Sequence, residues 1–296
     1  MSDLIEQDGQ YMNFTSEPWV ILSPIEQSIK EKLEKYGTPL KDWDIEINYG
    51  IKTGCNEAFI INEAKRAELI KKDPKSAQII RPILRGRDIK RYSYEFANLY
   101  LICTFPSKHY DIEQFPAVKD WLINGDWVLP KSPIGTGKLR LEQTGAEHIV
   151  GGIKFKSRKK TNNKWFETQD SINYWDDFSK PKLLYSEIVQ EPHFYLDKNG
   201  KFYNEATSFL MTGNHLEYLQ IMLHSKLMTF AFKHYYAGGG LGNTGFRYKK
   251  AFLEKLPIIH PTKELEQNLI FCSDKETMIC KMYNLSNTEI TLILQN

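Results

Sequence analysis

No single periodicity lasts long in this chain. Residues 23–37, "SPIEQSIKEKLEKYG", carry a helix signature: Ser23 as cap, Pro24 at the first helical position, Ile25, Ile29 and Leu33 at helical spacing, and Gly37 at the end. After Pro39 the period shortens to two in "WDIEINYGIKTG" and then "EAFII", which read as two strands joined at the bend from Gly50 to Asn56. Helical spacing returns in "NEAKRAELIKKD", with Asn62 as cap, and "PKSAQIIRPIL" adds a proline-started turn of helix. "YSYEFANLYLICTF" has the aromatic and branched residues of a strand pair. The opening half is therefore mixed α and β.

Residues 106–150 are rich in proline and glycine, which favours irregular structure. From "GGIKFKSRKK" to "SFLMTG" short strands alternate with turns, "DKNGKFY" being a good hairpin turn. "HLEYLQIMLHSKLMTFAFKHYY" then carries a continuous apolar helical stripe, and the tail places Leu265, Leu269, Cys272, Glu276, Ile279 and Tyr283 at intervals of one long helix or two short ones. The expected fold class is α+β, with a β-rich central part and C-terminal helices. Its expected organisation is residues 1–255 in two lobes, with a loop-rich region at about 106–165, followed by a helical segment, 256–296, serving as spacer or partner-docking element.

Composition narrows the function classes. A chain of 296 residues, 41% hydrophobic and 26% charged, has the balance of an ordinary globular protein. Its longest apolar runs fall far short of a membrane span, and "MSDLIEQDGQ" lacks the blocks of a secretory signal, so a cytoplasmic location is expected. Cys55, Cys103, Cys272 and Cys280 are scattered, without metal-ligand spacing. The net charge is only +2, so any polyanion-binding surface must be local.

Catalytic signatures fail on context. "GLGNTG" at 240–245 has dinucleotide-loop spacing, but a helix precedes it and an extended segment follows, the reverse of what that loop needs. "GTGK" at 135–138 lacks the remaining glycine spacing and the magnesium-binding hydroxyl. The seven histidines are dispersed, and Asp176 and Asp177 have no accompanying acid and lysine for metal-assisted phosphodiester cleavage.

Basic clusters remain. "KFKSRKKTNNKW" gathers Lys154, Lys156, Arg158, Lys159, Lys160 and Lys164 around Asn162 and Asn163; on a strand, Lys154, Lys156 and Arg158 share one face. Such cations release counterions on meeting phosphates, and asparagine amides fit adenine edges. A solvated loop is the competing reading of a charge run taken alone. "RPILRGRDIKRY" at 81–92 sets Arg85 and Arg87 about Gly86, with Asp88 an available ion-pair partner, and "GFRYKKAFLEKLPI" contributes Arg247, Lys249 and Lys250.

Taken together, "NYGIKTGCNEAFIIN", "DPKSAQIIRPILRGRDIKRY" and "FRYKKAFLEKLPI", with "FSKPKLLYSEI" and "HSKLMTFAF" between them, resemble the TaqI-like C-terminal specificity domain. This is the target-recognition part of type IIG restriction–modification enzymes and adenine-specific DNA methyltransferases. The resemblance runs from about Trp19 to the end and implies that the chain reads double-stranded DNA. It also implies that a methyltransferase or nuclease part, holding S-adenosylmethionine and magnesium, lies outside these residues, since no N-P-P-Y type motif occurs and no cofactor is expected within the chain. "LPIIHPTKELEQNLI" is similar to the segment where specificity subunits of type I systems enter a spacer helix.

A motif shared by the family suits scaffold or phosphate contact better than base readout. Arg85 and Asp88 are therefore assigned a structural ion pair, and Lys52, Arg87, Lys90 and Arg91 join the expected DNA contacts. Base readers are expected at roughly 125–165 and 238–248. The alternative is a protein-interaction or regulatory subunit without DNA contact.

Overall fold

The computed structural model describes residues 22–128, 136–237 and 245–295. The opening helix, Pro24–Tyr36, starts as its sequence dictates. Glu26 N–H donates to the Ser23 hydroxyl, the Glu26 carboxylate accepts from Ser23 N–H at 2.8 Å, and Pro24 occupies a position with no donor to lose. Ile29 and Leu33 are buried, and beyond Gly37 the chain pairs Thr38–Pro39 with Pro257–Ile258.

A four-stranded antiparallel sheet forms the central wall, in the order Phe194–Asp197, Lys182–Ser186, Ser208–Gly213, Ile45–Tyr49. Its middle strands are apolar on both faces. Leu183, Tyr185, Phe209 and Met211 point into one core, while Leu184 and Leu210 point into another. The first core is closed by the opening helix, by helices Leu216–His224 and Lys226–Ala231, and by the C-terminal helices Lys263–Phe271, Lys275–Met282 and Asn287–Gln295. The second contains a sheet ordered Tyr203–Asn204, Ile80–Leu84, Leu99–Ile102, Ile60–Asn62, covered by helices Glu63–Lys72 and Pro116–Asn124. This is an α+β fold whose two cores share one sheet.

One charge sits inside the wall. Lys182 is fully buried, and its ammonium donates to Asp197 at 2.8 Å and to the Phe178 carbonyl at 2.7 Å. Asp197 also accepts from the N–H groups of Lys201 and Phe202. Burial pulls the Lys182 pKa down, against the pull of Asp197.

Several sequence expectations change in detail. The strands Ile45–Tyr49 and Ile60–Asn62 both form, but they enter different sheets, with a helical turn at Asn56–Phe59 between them. The long apolar stripe breaks at Ser225, whose extended backbone ends one helix while its hydroxyl caps the next at Met228 N–H. The tail forms short helices. Its residues Leu256, Ile258, Leu269, Ile279, Cys280, Tyr283 and Ile293 belong to the first core, and Glu289 accepts from Lys32 and Ser28 of the opening helix. The tail from Leu256 onward thus packs against the opening helix and the first core. Among the described residues no helix is long and apolar enough to cross a membrane.

Candidate nucleic-acid interface

Arg85, Gly86, Arg87 and Asp88 form one turn, held at both ends. The Arg85 guanidinium grips Asp88 with two bonds, 2.8 Å from Nε and 2.7 Å from Nη2, and Asp88 also accepts from Arg85 N–H at 2.9 Å. Burial of Asp88 would raise its pKa, but these bonds prevail and lower it. Gly86 is required for close approach rather than for a left-handed bend. A Cβ there would lie 2.7 Å from the Thr207 carbonyl oxygen, and Gly86 N–H donates to the Thr207 hydroxyl at 3.0 Å. Arg87 is left exposed.

This turn belongs to a continuous ridge. Glu205 N–H donates to the Leu84 carbonyl, Ile51 N–H to Asn204 and Ala206 N–H to Ile51, so the 50–56 loop and the 204–207 segment lie side by side against 84–86. Glu187 N–H donates to Thr207 and Tyr248 N–H to Glu187, while Ser186 donates to the Gly86 carbonyl. At the far end Ile188 pairs with Arg247, whose guanidinium is 3.7 Å from Glu187. At the near end Gln169 joins two basic loops: its N–H donates to the Lys52 carbonyl at 3.0 Å and its side-chain amide to the Lys159 carbonyl at 3.3 Å. Segments from six regions of the sequence are thus hydrogen-bonded into one strip, from Lys159 and Lys52 through Arg87 to Arg247.

Arg158 requires correction. Alternation holds from Lys154 to Ser157, but the strand ends at Lys156 and Arg158 turns inward to 5% exposure. Its guanidinium donates to the carbonyls of Leu141 (2.9 Å), Thr53 (2.7 Å), Glu167 (2.8 Å) and Trp165 (2.7 Å). Burial lowers its pKa to about 10, still high enough to keep the charge at neutral pH. It is an internal clamp, unavailable to phosphate. Asn163 is likewise committed in part, its amide donating to the Thr168 and Gln169 carbonyls, whereas Asn162 is exposed.

The other expected contacts divide by their partners. Among the described residues Lys52, Arg87, Lys156, Lys159, Lys160 and Lys164 are exposed and lie within 4 Å of no carboxylate. Lys154 pairs with Glu147 at 2.8 Å, Lys90 with Glu95 at 3.3 Å and Lys250 with Glu254 at 3.6 Å. Lys249 precedes the short helix Lys250–Leu253 and is half-buried. Arg91 does not join the ridge through any of these bonds. It reaches the His224 carbonyl at 3.2 Å, beside the helices of the first core. The glycine-rich stretch 238–244 and residues 129–135, within the expected base-reading regions, lie outside the described residues.

Sequence reasoning missed Glu205, Thr207, Gln169 and Glu187, which tie the ridge together. Each is an ordinary polar residue in an ordinary loop, and only the fold gives it a partner.

Comparison with known proteins gives the ridge its context. The chain is similar to solved structures of the type IIL restriction–modification enzyme MmeI in complex with DNA (12% identity, 87% of this chain and 32% of that one, TM-score 0.47) and of the type IIG restriction endonuclease BpuSI (13% identity, 92% and 31%, TM-score 0.52). It spans about a third of the length of each, and the second likeness is one of fold. No curated protein matches the chain. The family described as the TaqI-like C-terminal specificity domain matches residues 81–258, more than half the chain, from the Arg85–Asp88 turn through the central wall to the strand that closes the first core, and the protein belongs to that family.

Proposed function

We propose that this chain recognises a specific sequence in double-stranded DNA for a restriction–modification or DNA methyltransferase system, with catalysis supplied by an adenine methyltransferase or nuclease part elsewhere. The observation that carries the reading is the ridge. It joins the RGRD turn, the 50–56 loop and the Arg247 strand, and it carries Lys52, Lys159 and Arg87, exposed and without carboxylate partners among the described residues. Exposed cations without carboxylate partners are free to replace the counterions of a phosphate backbone, and such contacts fix register while base edges supply sequence. S-adenosylmethionine and magnesium belong, in this reading, to the catalytic part. The surface offered to that part is at the C-terminal helices, where Phe271 is 85% exposed and Cys272, Met278 and Met282 line a shallow groove with Asp274, Thr277 and Lys281.

Duplex binding followed by fluorescence anisotropy tests the reading. With about five phosphate contacts the affinity should fall a few hundredfold between 50 and 200 mM salt. The double variant Lys159→Glu/Lys160→Glu should weaken binding and flatten the salt slope by about two. Absence of binding at low salt, or binding indifferent to salt, would refute it.

A further inference from the structure

The hairpin formed by Glu147–Val150 and Ile153–Lys156 pairs only with itself among the described strands. Its register sets Glu147 opposite Lys156 and Ile149 opposite Lys154. Because Glu147 and Ile149 are two apart, and Lys154 and Lys156 likewise, these four side chains share one face. Glu147, Lys154 and Lys156 are exposed, and Ile149 is 73% exposed among them. The opposite face turns inward, with Phe155 buried and stacked on His148 at 5.4 Å. Gly151 and Gly152, at φ +58° and +80°, make the turn; both lie in the left-handed region that hairpin loops of two residues require, and nothing crowds Gly152. The tip therefore carries no side chain.

The root is as fixed as the tip is bare. Ser157 N–H donates to the Ala146 carbonyl and Gly145 N–H to Arg158, extending the ladder to the residue whose guanidinium is bound by four carbonyls. Lys159 and Lys160 follow directly, so the ribbon leaves the protein beside the basic end of the ridge.

A lone exposed isoleucine needs no explanation. One on the outward face of a ribbon, opposite Lys154, diagonal to Lys156 and behind a tip without side chains, fits a defined partner. The major groove admits a two-stranded ribbon, its walls are anionic, and the apolar group on its base edges is the thymine methyl. Resting on the DNA-recognition reading above, we propose that this hairpin enters the major groove of the duplex, with Ile149 packed against a thymine methyl and Lys156, exposed and without a carboxylate partner among the described residues, directed to a flanking phosphate. The Glu147 carboxylate, held 2.8 Å from Lys154, is masked from the groove walls by that ion pair.

The test is enrichment of binding sequences from random duplexes, made either with thymine or with uracil, which lacks the methyl. The wild-type chain should select a thymine at one position. Ile149→Ala, or the uracil library, should each weaken that selection about fourfold, and the two together should weaken it no further. Lys159→Glu should lower affinity for all sequences and leave the selection intact. If Ile149→Ala selects the same sequences with undiminished preference, the hairpin assignment is overturned while the DNA-recognition reading stands. If the wild-type chain binds no duplex, both fall. The side chain is exposed, so the variant folds, and unchanged far-ultraviolet circular dichroism verifies this.

Discussion

Removing the Arg158 side chain isolates its internal role from any part in binding. In Arg158→Ala four carbonyls, those of Thr53, Leu141, Trp165 and Glu167, lose charge-assisted bonds of 2.7–2.9 Å. Lost singly, such bonds are worth about 1.5–3 kcal/mol each. They share one side chain, and water entering the space left behind will satisfy some of the carbonyls, so the sum overstates the effect. Removing the guanidinium also removes the cost of burying its charge, which offsets part of the loss. The expected loss is about 3–5 kcal/mol, read as a shift in urea unfolding. Hydrogen exchange should place the earliest loosening in segments 141–146 and 157–169, which the clamp ties to the 53–54 loop. Arg158→Lys keeps the charge but not the planar fork, and should recover less than half of the stability. A variant that stays within about 1 kcal/mol of wild type while losing DNA affinity, and regains that affinity with lysine, would refute the internal role.

Two further predictions concern the core. Lys182→Ala leaves Asp197 buried with two backbone donors and no cation, a loss of about 3–5 kcal/mol by urea unfolding; Lys182→Met/Asp197→Asn should lose less than Lys182→Ala, because no charge is left unpaired. Acid should act in two stages. Burial, with smaller contributions from Arg91 and His193, holds His224 at about 3, below its ordinary 6.5, and its Nε2 accepts from Phe194 N–H at 3.0 Å. The unfolded chain therefore takes up this proton first, and stability declines as pH falls below 6.5. Burial would raise Glu289, but bonds from Lys32, Ser286 and Ser28 outweigh it and hold it at about 2, so its contribution is complete above pH 4.5 and lost between there and 2. Stability measured against pH should show both declines, the first flattened in His224→Gln and the second in Glu289→Gln.

What the sequence revealed follows the range of the forces involved. The opening helix was legible because its cap, its proline and its apolar spacing all lie within one another's reach. Lys182 was not, because its partner Asp197 lies in the neighbouring strand of the sheet, and a lysine within "KPKLLYSEI" reads as a strand-end charge; the turn after Asp197, expected to close a hairpin, instead carries the chain into the other sheet. Arg158 was misplaced by extending a two-residue period beyond the strand that justified it. The need for Gly86 was not legible either, because the pressure on it comes from Thr207, far along the chain. The family likeness identified which segments matter, and the hydrogen bonds among them account for their arrangement.

The central wall has a mechanical consequence. Leu183 and Leu184 are neighbours in one strand yet serve opposite cores, as do Leu210 and Met211, so loosening either core strips support from the strands that hold the other. Unfolding should therefore propagate through both halves as one event, leaving no seam about which they could swing. A ligand gripping the ridge meets a stiff template. For a duplex, the bending and twisting needed for a close fit would fall on the DNA, and sequences that deform easily would gain an advantage even at base pairs no side chain reaches.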